Sequence, residues 1–219
     1  ELLAAVTTQN FGVDELHIAS ALRGEPLQMV KCESVDLEVP ASSEIILEGK
    51  VLSGVREEEG PFGDTLQSYI PIMENNVFEV KAITRRKNAI HHTIQASSLD
   101  EIHLIALARE ALVYEAVSKV AEIKAICLAP FYMSCSISIK KRFEGEPKNV
   151  AAAAFGAFNW LKYCVVVDHD VNVFDVNDVW WSMAVRSRPD TGLFIIKEAL
   201  GWPRDPYNLH RSKVGIDAT

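Results

Sequence analysis

The periodicity of the apolar residues changes near residue 97, and this change constrains the fold more than any other feature. Before it, apolar and polar residues alternate in short segments bounded by Gly and Pro, which is typical of half-buried β-strands. The predicted strands cover residues 35–39, 44–52 with a bend at Gly49, 76–84 and 89–96. A short helix over residues 12–24 precedes them. Several strands with no long helix between them indicate an antiparallel barrel or sandwich.

After residue 97, helical and strand patterns alternate. Ser98 lies three residues before Glu101, the spacing of a capping box, and an Ala- and Leu-rich helical run follows over residues 102–123. Then come a predicted strand (131–140), a helix (149–161), a strand (163–167) and a helix (177–186). This succession is typical of an α/β layer. We therefore predict a β-rich domain over residues 1–97 and an α/β domain over residues 98–219, with a mixed sheet and flanking helices.

The composition is that of a globular protein and excludes some partners. The 219 residues include 22 Lys and Arg against 30 Asp and Glu, giving a net charge of −8. Non-specific binding of nucleic acid or anionic lipid needs a cationic surface, so neither is expected. No apolar run approaches the ~18 residues that span a bilayer, and no signal-peptide pattern is recognised. The four cysteines form no C-x-x-C pair, so we expect reduced thiols and a cytoplasmic protein.

The segment from Glu57 to Asp64 is acidic and contains two glycines and a proline. Gly and Pro at this density force a tight, fixed loop. Carboxylates at both ends of such a loop, Glu59 and Asp64 among them, can bind a hard cation through oxygen. A solvated acidic turn explains the same composition, so both interpretations stay open here.

The pair Asp100 and Glu101 opens the long predicted helix, with His103 and Arg109 after it. Carboxylates at a helix N-terminus are favoured by the helix dipole, which is a structural explanation. The functional alternative is a general acid, because an apolar pocket raises the pKa of a carboxyl group towards neutrality.

Two further segments carry polar groups next to predicted strands. Residues 168–175 form an acidic loop after the strand 163–167, at the end of a strand where α/β sheets commonly bind ligands. The same loop could instead cap the helix that begins near Asn177. Near the end of the sequence, Ser212 and Lys213 precede Gly215, and such a lysine can bind phosphate as a point charge. The common hydrolase, P-loop, Rossmann and zincin motifs are missing from the sequence.

Taken in order, these segments resemble the UbiD-type decarboxylases from about residue 20 onward. The matching motifs are VDLEVPA (35–41), EIILEG (44–49), EGPFGD (59–64), FEV (78–80), ITRR (83–86), AIHHT (89–93), DE (100–101), VVDHDVNV (166–173), NDVWW (177–181) and SKVGIDAT (212–219). The resemblance implies reversible decarboxylation of aromatic or α,β-unsaturated carboxylic acids. It also implies prenylated FMN as cofactor, with a divalent metal, usually Mn²⁺, and often K⁺.

The resemblance also implies a fold and roles for particular residues. The β-rich half would be the end of a split β-barrel that binds the flavin, and the rest would be the family's C-terminal α/β domain. Glu59 matches a metal-ligand glutamate, with Asp64 as the nearby alternative. Glu101, beside Asp100, matches the carboxylate pair of the active site, and we choose Glu101 as proton donor. Lys213, next to Ser212, matches a lysine that approaches the flavin phosphate.

The resemblance implies that members of this family are roughly twice as long. We expect the full-length protein to form a homo-oligomer. We find no match to their N-terminal domain, or to the barrel segment with the metal-binding Asn and His and the catalytic Arg. The sequence is therefore expected to be a portion of a decarboxylase that is inactive alone. The alternative is a short, non-catalytic paralogue that acts as an assembly subunit. Trp180, Trp181 and residues 151–158 would then form an interface, although core packing is the favoured explanation of both.

Overall fold

A computed structural model describes residues 14–128, 131–202 and 212–219. The chain divides into two compact units, Glu1–Ser98 and Leu99–Thr219. Each unit is described by itself.

The first unit begins with a short capped helix and a small strand pair. Helix α1 (Glu15–Arg23) starts where the Asp14 carboxylate accepts a hydrogen bond from the Leu16 amide, and it ends at Gly24, whose φ of 79° suits glycine. Strands β1 (Met29–Lys31) and β2 (Glu38–Pro40) then pair in antiparallel fashion.

A long antiparallel ribbon makes up most of the first unit. It joins β3 (Ile45–Glu59) to β6 (Met73–Arg85), and the short strands β4 (Phe62–Gly63) and β5 (Tyr69–Ile70) pair between them. The register of the ribbon shifts between Glu48 and Gly49. A Cβ atom on Gly49 would lie 2.0 Å from the Glu79 carbonyl oxygen, so only glycine fits at this bulge.

The predicted strand over residues 89–96 is wrong. This segment has no regular structure, and the side chains of His91 and His92 are exposed. The Ile90 amide donates to the Glu44 carboxylate at 3.1 Å instead of to a neighbouring strand. An alternating pattern predicts only that a segment is able to form a strand. The strand forms only where a neighbouring strand is available for hydrogen bonding.

The second unit contains a five-stranded mixed sheet in the order β10–β11–β9–β8–β7. Its strands are β7 (Ile123–Cys127), β8 (Ser134–Ile139), β9 (Tyr163–Asp168), β10 (Leu193–Ile196) and β11 (Lys213–Ala218). Strands β8, β9 and β11 are mutually parallel, and β7 and β10 are antiparallel to their neighbours. The predicted fold class, antiparallel β structure followed by an α/β domain with a mixed sheet, is confirmed.

Helices pack against this sheet. Helix α2 (Leu99–Val117) packs on β7 and on α3 (Glu146–Ala157), and α3 also packs on β9 and β11. Helix α4 (Val176–Arg186) covers β9 and β11 through a cluster that includes Val165, Val167 and Val179. Because side chains alternate along a strand, Cys164 and Val166 of β9 point to the other face of the sheet. Both are buried, as are Val165 and Val167.

Helix α2 is shorter than the predicted run to residue 123. After it, the chain forms strand β7, which the Ala-rich composition concealed. Strand β11 is also not predicted, because its residues match a phosphate-binding pattern and no strand pattern is identified there. Within the described part of the chain, none of the helices combines the length and apolar character needed to cross a membrane.

Candidate functional site

The parallel strands of the second unit bring two of the predicted site residues to one edge of the sheet. The residues just before β8, β9 and β11 meet there, since parallel strands begin at the same edge. The Lys162 amide donates to the Met133 carbonyl at 2.7 Å, and the Val214 amide donates to the Lys162 carbonyl at 2.9 Å. We call this the amino edge; Ser212 and Lys213 lie on it.

Arg109 of helix α2 is buried at the amino edge, with only 2% of its surface exposed. Its guanidinium carbon lies 5.1 Å from the ring centroids of both Phe158 and Trp160, which gives cation–π contacts. Its Nε and Nη1 atoms are buried and have no hydrogen-bond partner. Burial lowers the pKa of Arg109, and Tyr132 acts in the opposite direction. Buried donors of this kind are rare and need an explanation.

An aromatic cluster adjoins this arginine. Tyr132 is fully buried, and its ring lies 4.9 Å from that of Phe131 and 6.2 Å from that of Trp160. The Trp160 ring meets the Trp202 ring edge-on at 4.2 Å. The Nε1 atom of Trp202 is also buried without a hydrogen-bond partner. The cluster therefore combines apolar surface with unsatisfied donors.

Glu110 is a candidate that the sequence did not reveal. Its carboxylate accepts a hydrogen bond from the Leu128 amide at 2.8 Å. Burial raises the pKa of Glu110, while the Leu128 amide and His103 lower it by smaller amounts. The helical pattern of α2 could have placed Glu110 near the buried face, but the sequence does not identify its partner after β7.

Asp100 and Glu101 form part of the first turn of α2. Asp100 is exposed, and Glu101 is half-buried next to the buried Ile102. Arg109 follows Glu101 by eight residues, so their Cα atoms are offset by about 12 Å along the helix axis.

Lys213 is largely occupied inside the second unit. Its Nζ donates to the Asn159 carbonyl at 2.6 Å and to the Leu161 carbonyl at 2.8 Å. It also lies 5.5 Å from the Phe155 ring centroid. Only 5% of Lys213 is exposed, whereas Ser212 is exposed. The ammonium group thus joins the segment before β9 to the start of β11.

The acidic loop of the first unit connects β3 to β4, through a cis peptide bond between Gly60 and Pro61. The exposed Glu59 carboxylate accepts a hydrogen bond from the Asn75 side chain on β6. Asp64 is held by its backbone, since its carbonyl accepts from the Ser97 hydroxyl at 2.7 Å. Its Oδ2 atom is buried without a hydrogen-bond partner, an arrangement that suits a cation ligand.

No cluster of three His, Cys, Asp or Glu side chains that could hold a metal occurs within residues 14–128, 131–202 and 212–219. A metal at the acidic loop would therefore need ligands besides Glu59 and Asp64.

The acidic loop at the opposite edge of the sheet has structural roles. The Asp175 carboxylate caps α4 by accepting from the Asn177 amide at 2.9 Å. Asp170 forms a two-pronged ion pair with Arg186 at 2.8 and 2.6 Å, which lowers the pKa of Asp170 to about 2. The capping interpretation of residues 168–175 is confirmed.

Two family profiles match the chain in sequence order. The Rift-related domain of 3-octaprenyl-4-hydroxybenzoate carboxy-lyase matches residues 1–98, and the C-terminal domain of the same carboxy-lyase matches residues 102–218. The β-rich unit and the mixed α/β unit thus correspond to consecutive domains of one protein family. The chain belongs to the UbiD family.

Individual relatives agree with this assignment. The anhydromevalonate phosphate decarboxylase of Methanothermobacter thermautotrophicus is 37% identical over 100% of this chain and 53% of its own length. The UbiD-class enzyme HmfF from Pelotomaculum thermopropionicum, solved with FMN, has 44% identity and a TM-score of 0.94, covering 100% of this chain and 51% of its own. The open form of vanillic acid decarboxylase from Sedimentibacter hydroxybenzoicus has 30% identity and a TM-score of 0.86, covering 99% and 49%. The chain spans about half the length of these relatives.

Proposed function

We propose that this chain supplies one half of a prenylated-FMN-dependent decarboxylase that acts on an aromatic or α,β-unsaturated carboxylic acid. The observation that carries the proposal is the half-buried Glu101 at the start of α2, the helix that also bears the buried Arg109. Support comes from neighbouring structures, since HmfF has been solved with FMN and, in an evolved dimeric form, with prenylated FMN. A cytoplasmic location fits the four free cysteines.

In this proposal Glu101 holds a proton and delivers it to the substrate carbon that has lost carbon dioxide. When bound, prenylated FMN supplies the electron sink for that loss. Asp100 is exposed beside Glu101 and adds negative charge at the start of α2.

The chain's own groups also fit the cofactor and the metal. Asp64 would bind a divalent cation such as Mn²⁺ through its unpartnered Oδ2, with Glu59 as second carboxylate. K⁺ would accept the same kind of oxygen ligands. Lys213 would act on the flavin phosphate as a fixed positive charge, because its ammonium group is held by two carbonyls, and the exposed Ser212 would offer its hydroxyl group.

The remaining site residues would come from the half of the relatives that this chain does not match, so we expect the chain alone to be inactive. A chimera in which this chain replaces the matched half of HmfF tests the proposal. Loaded with prenylated FMN and Mn²⁺, it should release carbon dioxide from members of a panel of unsaturated and aromatic acids. A chimera that binds the cofactor, as judged by visible absorbance, yet releases none from any acid would contradict the proposal.

A second candidate, an assembly subunit, is favoured by one observation. Trp180 and Trp181 on α4 are 68% and 47% exposed, so core packing does not explain them. The run 151–158 packs in the core, with Ala151, Ala154 and Phe158 buried. Sedimentation of the chain and of its Trp180→Ser variant tests this candidate. If the chain assembles through this face, the variant should sediment as a smaller species. Exposed apolar patches of this kind commonly mark protein interfaces, including those of a homo-oligomeric enzyme.

A further inference from the structure

A cavity of about 490 Å³ lies at the edge of the five-stranded sheet opposite the amino edge. Lys141, just after β8, and Asp217 and Thr219, at the end of β11, border this cavity. The first turn of α3 and the segment after α4 form its sides. A cavity of this size suits a small molecule, and the carboxyl ends of parallel strands are where α/β sheets commonly bind ligands.

The charge of this cavity differs from that of the whole chain. Its lining includes four cationic side chains: Lys141, Lys148, Arg186 and Arg188. Only two carboxylates, from Glu144 and Asp217, line it as well. The lining is therefore positive, although the chain carries a net charge of −8. Cations gathered in a concave site attract anions. We call this site the basic cavity.

Lys148 is the cation whose position structure alone does not explain. It lies half-buried in the first turn of α3 and lines the basic cavity. Within residues 14–128, 131–202 and 212–219, its ammonium group makes no hydrogen bond or ion pair. Partial burial removes water from a charged group, and this cost is usually offset by a partner of opposite charge. An anion in the basic cavity would be that partner.

Two other cations of the cavity are held only by exposed ion pairs. Lys141 pairs with Glu144 at 3.0 Å, and Arg188 pairs with Asp190 at 3.1 Å. Exposed pairs of this kind contribute little to stability, so an anion in the cavity can replace the carboxylates as partner. Arg186 differs, because it keeps its two-pronged carboxylate pair and therefore adds only charge.

The basic cavity is separate from the residues of the proposed reaction that lie in the same unit. Strand β11 begins with Lys213 at the amino edge and ends beside the cavity. At the usual rise of a strand, the Cα atoms of Lys213 and Thr219 are about 20 Å apart. Helix α2 ends close to the start of β7, which pairs with the end of β8, so Glu101 in its first turn lies towards the amino edge.

We propose that the basic cavity is a further ligand site, and that it binds a phosphate monoester on a neutral, hydroxylated stem, such as a sugar phosphate. A phosphate monoester carries nearly two negative charges at pH 7, which matches the excess of cations over carboxylates in the lining. Lys148 binds the phosphate as a point charge, and Arg188 adds the N–H fork of its guanidinium group. The proposal does not depend on the decarboxylase function.

The remaining lining residues select the stem of the ligand. The carboxylates of Glu144 and Asp217 accept hydrogen bonds from hydroxyl groups and repel a further carboxylate. The described lining contains no aromatic ring, so it offers a nucleobase no stacking surface. A ligand without a carboxyl group has nothing to lose as carbon dioxide, and the basic cavity is therefore not a second substrate site.

The test measures binding to the full chain by calorimetry, without cofactor and at physiological ionic strength. The probes are glucose 6-phosphate, glucose, inorganic phosphate and 3-phosphoglycerate, which adds a carboxylate to the phosphate monoester. Glucose 6-phosphate should bind with a Kd of roughly 1 mM or below, and glucose should not bind. Inorganic phosphate should bind more weakly, because it lacks the stem. We expect 3-phosphoglycerate to bind about tenfold more weakly, because its carboxylate meets like charge.

A matched pair of variants ties the binding to the basic cavity. Lys148→Met should weaken glucose 6-phosphate binding about tenfold or more, the effect of losing one charge-assisted bond. Lys197→Met removes an exposed lysine that follows β10 at the amino edge, and it should keep the affinity. On the unmodified chain, the backbone amide resonance of Gly192 in the cavity lining should shift with glucose 6-phosphate, while that of Gly156 near the other end of α3 stays in place.

Four results would overturn the proposal. The first is the absence of saturable glucose 6-phosphate binding, and the second is an unshifted Gly192 resonance, which covers the case in which Lys148→Met does not fold. The third is a folded Lys148→Met variant with the affinity of the Lys197→Met control. The fourth is inorganic phosphate or 3-phosphoglycerate binding as tightly as glucose 6-phosphate, since the stem would then not be recognised.

Discussion

Replacing Lys213 with methionine separates its structural role from its proposed role at the cofactor. Methionine keeps the length and apolar stem of lysine but removes the hydrogen bonds from Nζ to the Asn159 and Leu161 carbonyls. Each charge-assisted bond contributes about 1.5–3 kcal/mol. Asn159 is exposed, so water can replace the lysine at its carbonyl, whereas Leu161 is fully buried. We therefore expect a loss of about 3 kcal/mol in the free energy of unfolding of the second unit.

The assay is urea unfolding of the chain without cofactor, followed by tryptophan fluorescence. All four tryptophans lie in the second unit, so the signal reports on that unit. A loss of about 3 kcal/mol corresponds to roughly 10 °C in the thermal midpoint. Lys197→Met is the matched control, because Lys197 is exposed, and it should change stability by less than about 0.5 kcal/mol.

The reasoning would be refuted if Lys213→Met unfolded at the same urea concentration as the control. In that case the two carbonyl bonds would contribute nothing in solution, and Lys213 would be available to a phosphate. A destabilised variant would instead show that Lys213 is required for folding before any cofactor binds.

Three further predictions concern other elements. Glu110→Gln keeps an acceptor for the Leu128 amide but removes a carboxylate charge that burial disfavours, as the raised pKa of Glu110 shows. The thermal midpoint should therefore rise at pH 7 and change little below about pH 4, where Glu110 is protonated in the folded and the unfolded state. An equal effect at both pH values would be inconsistent with burial as the cause. Asp64→Asn should weaken Mn²⁺ binding about tenfold by calorimetry, whereas Glu79→Gln, an exposed control on β6, should not. Gly49→Ala should destabilise the first unit by about 3 kcal/mol by far-ultraviolet circular dichroism, because its Cβ would overlap the Glu79 carbonyl.

The sequence predicted the elements whose partners are close or whose pattern is strong. The buried strand β9 and the capped helix α4 were placed within one or two residues, since an unbroken apolar run and an Asp cap are local signals. The strand predicted over residues 89–96 failed because pairing is not local. Strand β7 was missed because a short apolar run after a helix resembles more helix.

The candidate site was less predictable than the fold. The predicted acidic loop after β9 lies at the edge where α/β sheets usually bind ligands, yet its carboxylates cap a helix and pair with Arg186. The unsatisfied donors of Arg109 are invisible in the sequence, since they depend on rings from a segment about fifty residues later. Their apolar character also favoured core packing for Trp180 and Trp181, but both side chains are exposed. Burial is a property of the assembled chain, and apolar character predicts it only on average.

The most direct test of the account concerns the proton donor, Glu101. In the loaded HmfF chimera, Glu101→Gln keeps the shape of the side chain but cannot supply a proton, and Asp100→Asn is the neighbouring control. We predict that Glu101→Gln lowers the rate of carbon dioxide release by about 10²- to 10⁴-fold while the cofactor absorbance is unchanged. Asp100→Asn should retain most of the rate. A Glu101→Gln chimera that turns over as fast as its parent would contradict the account.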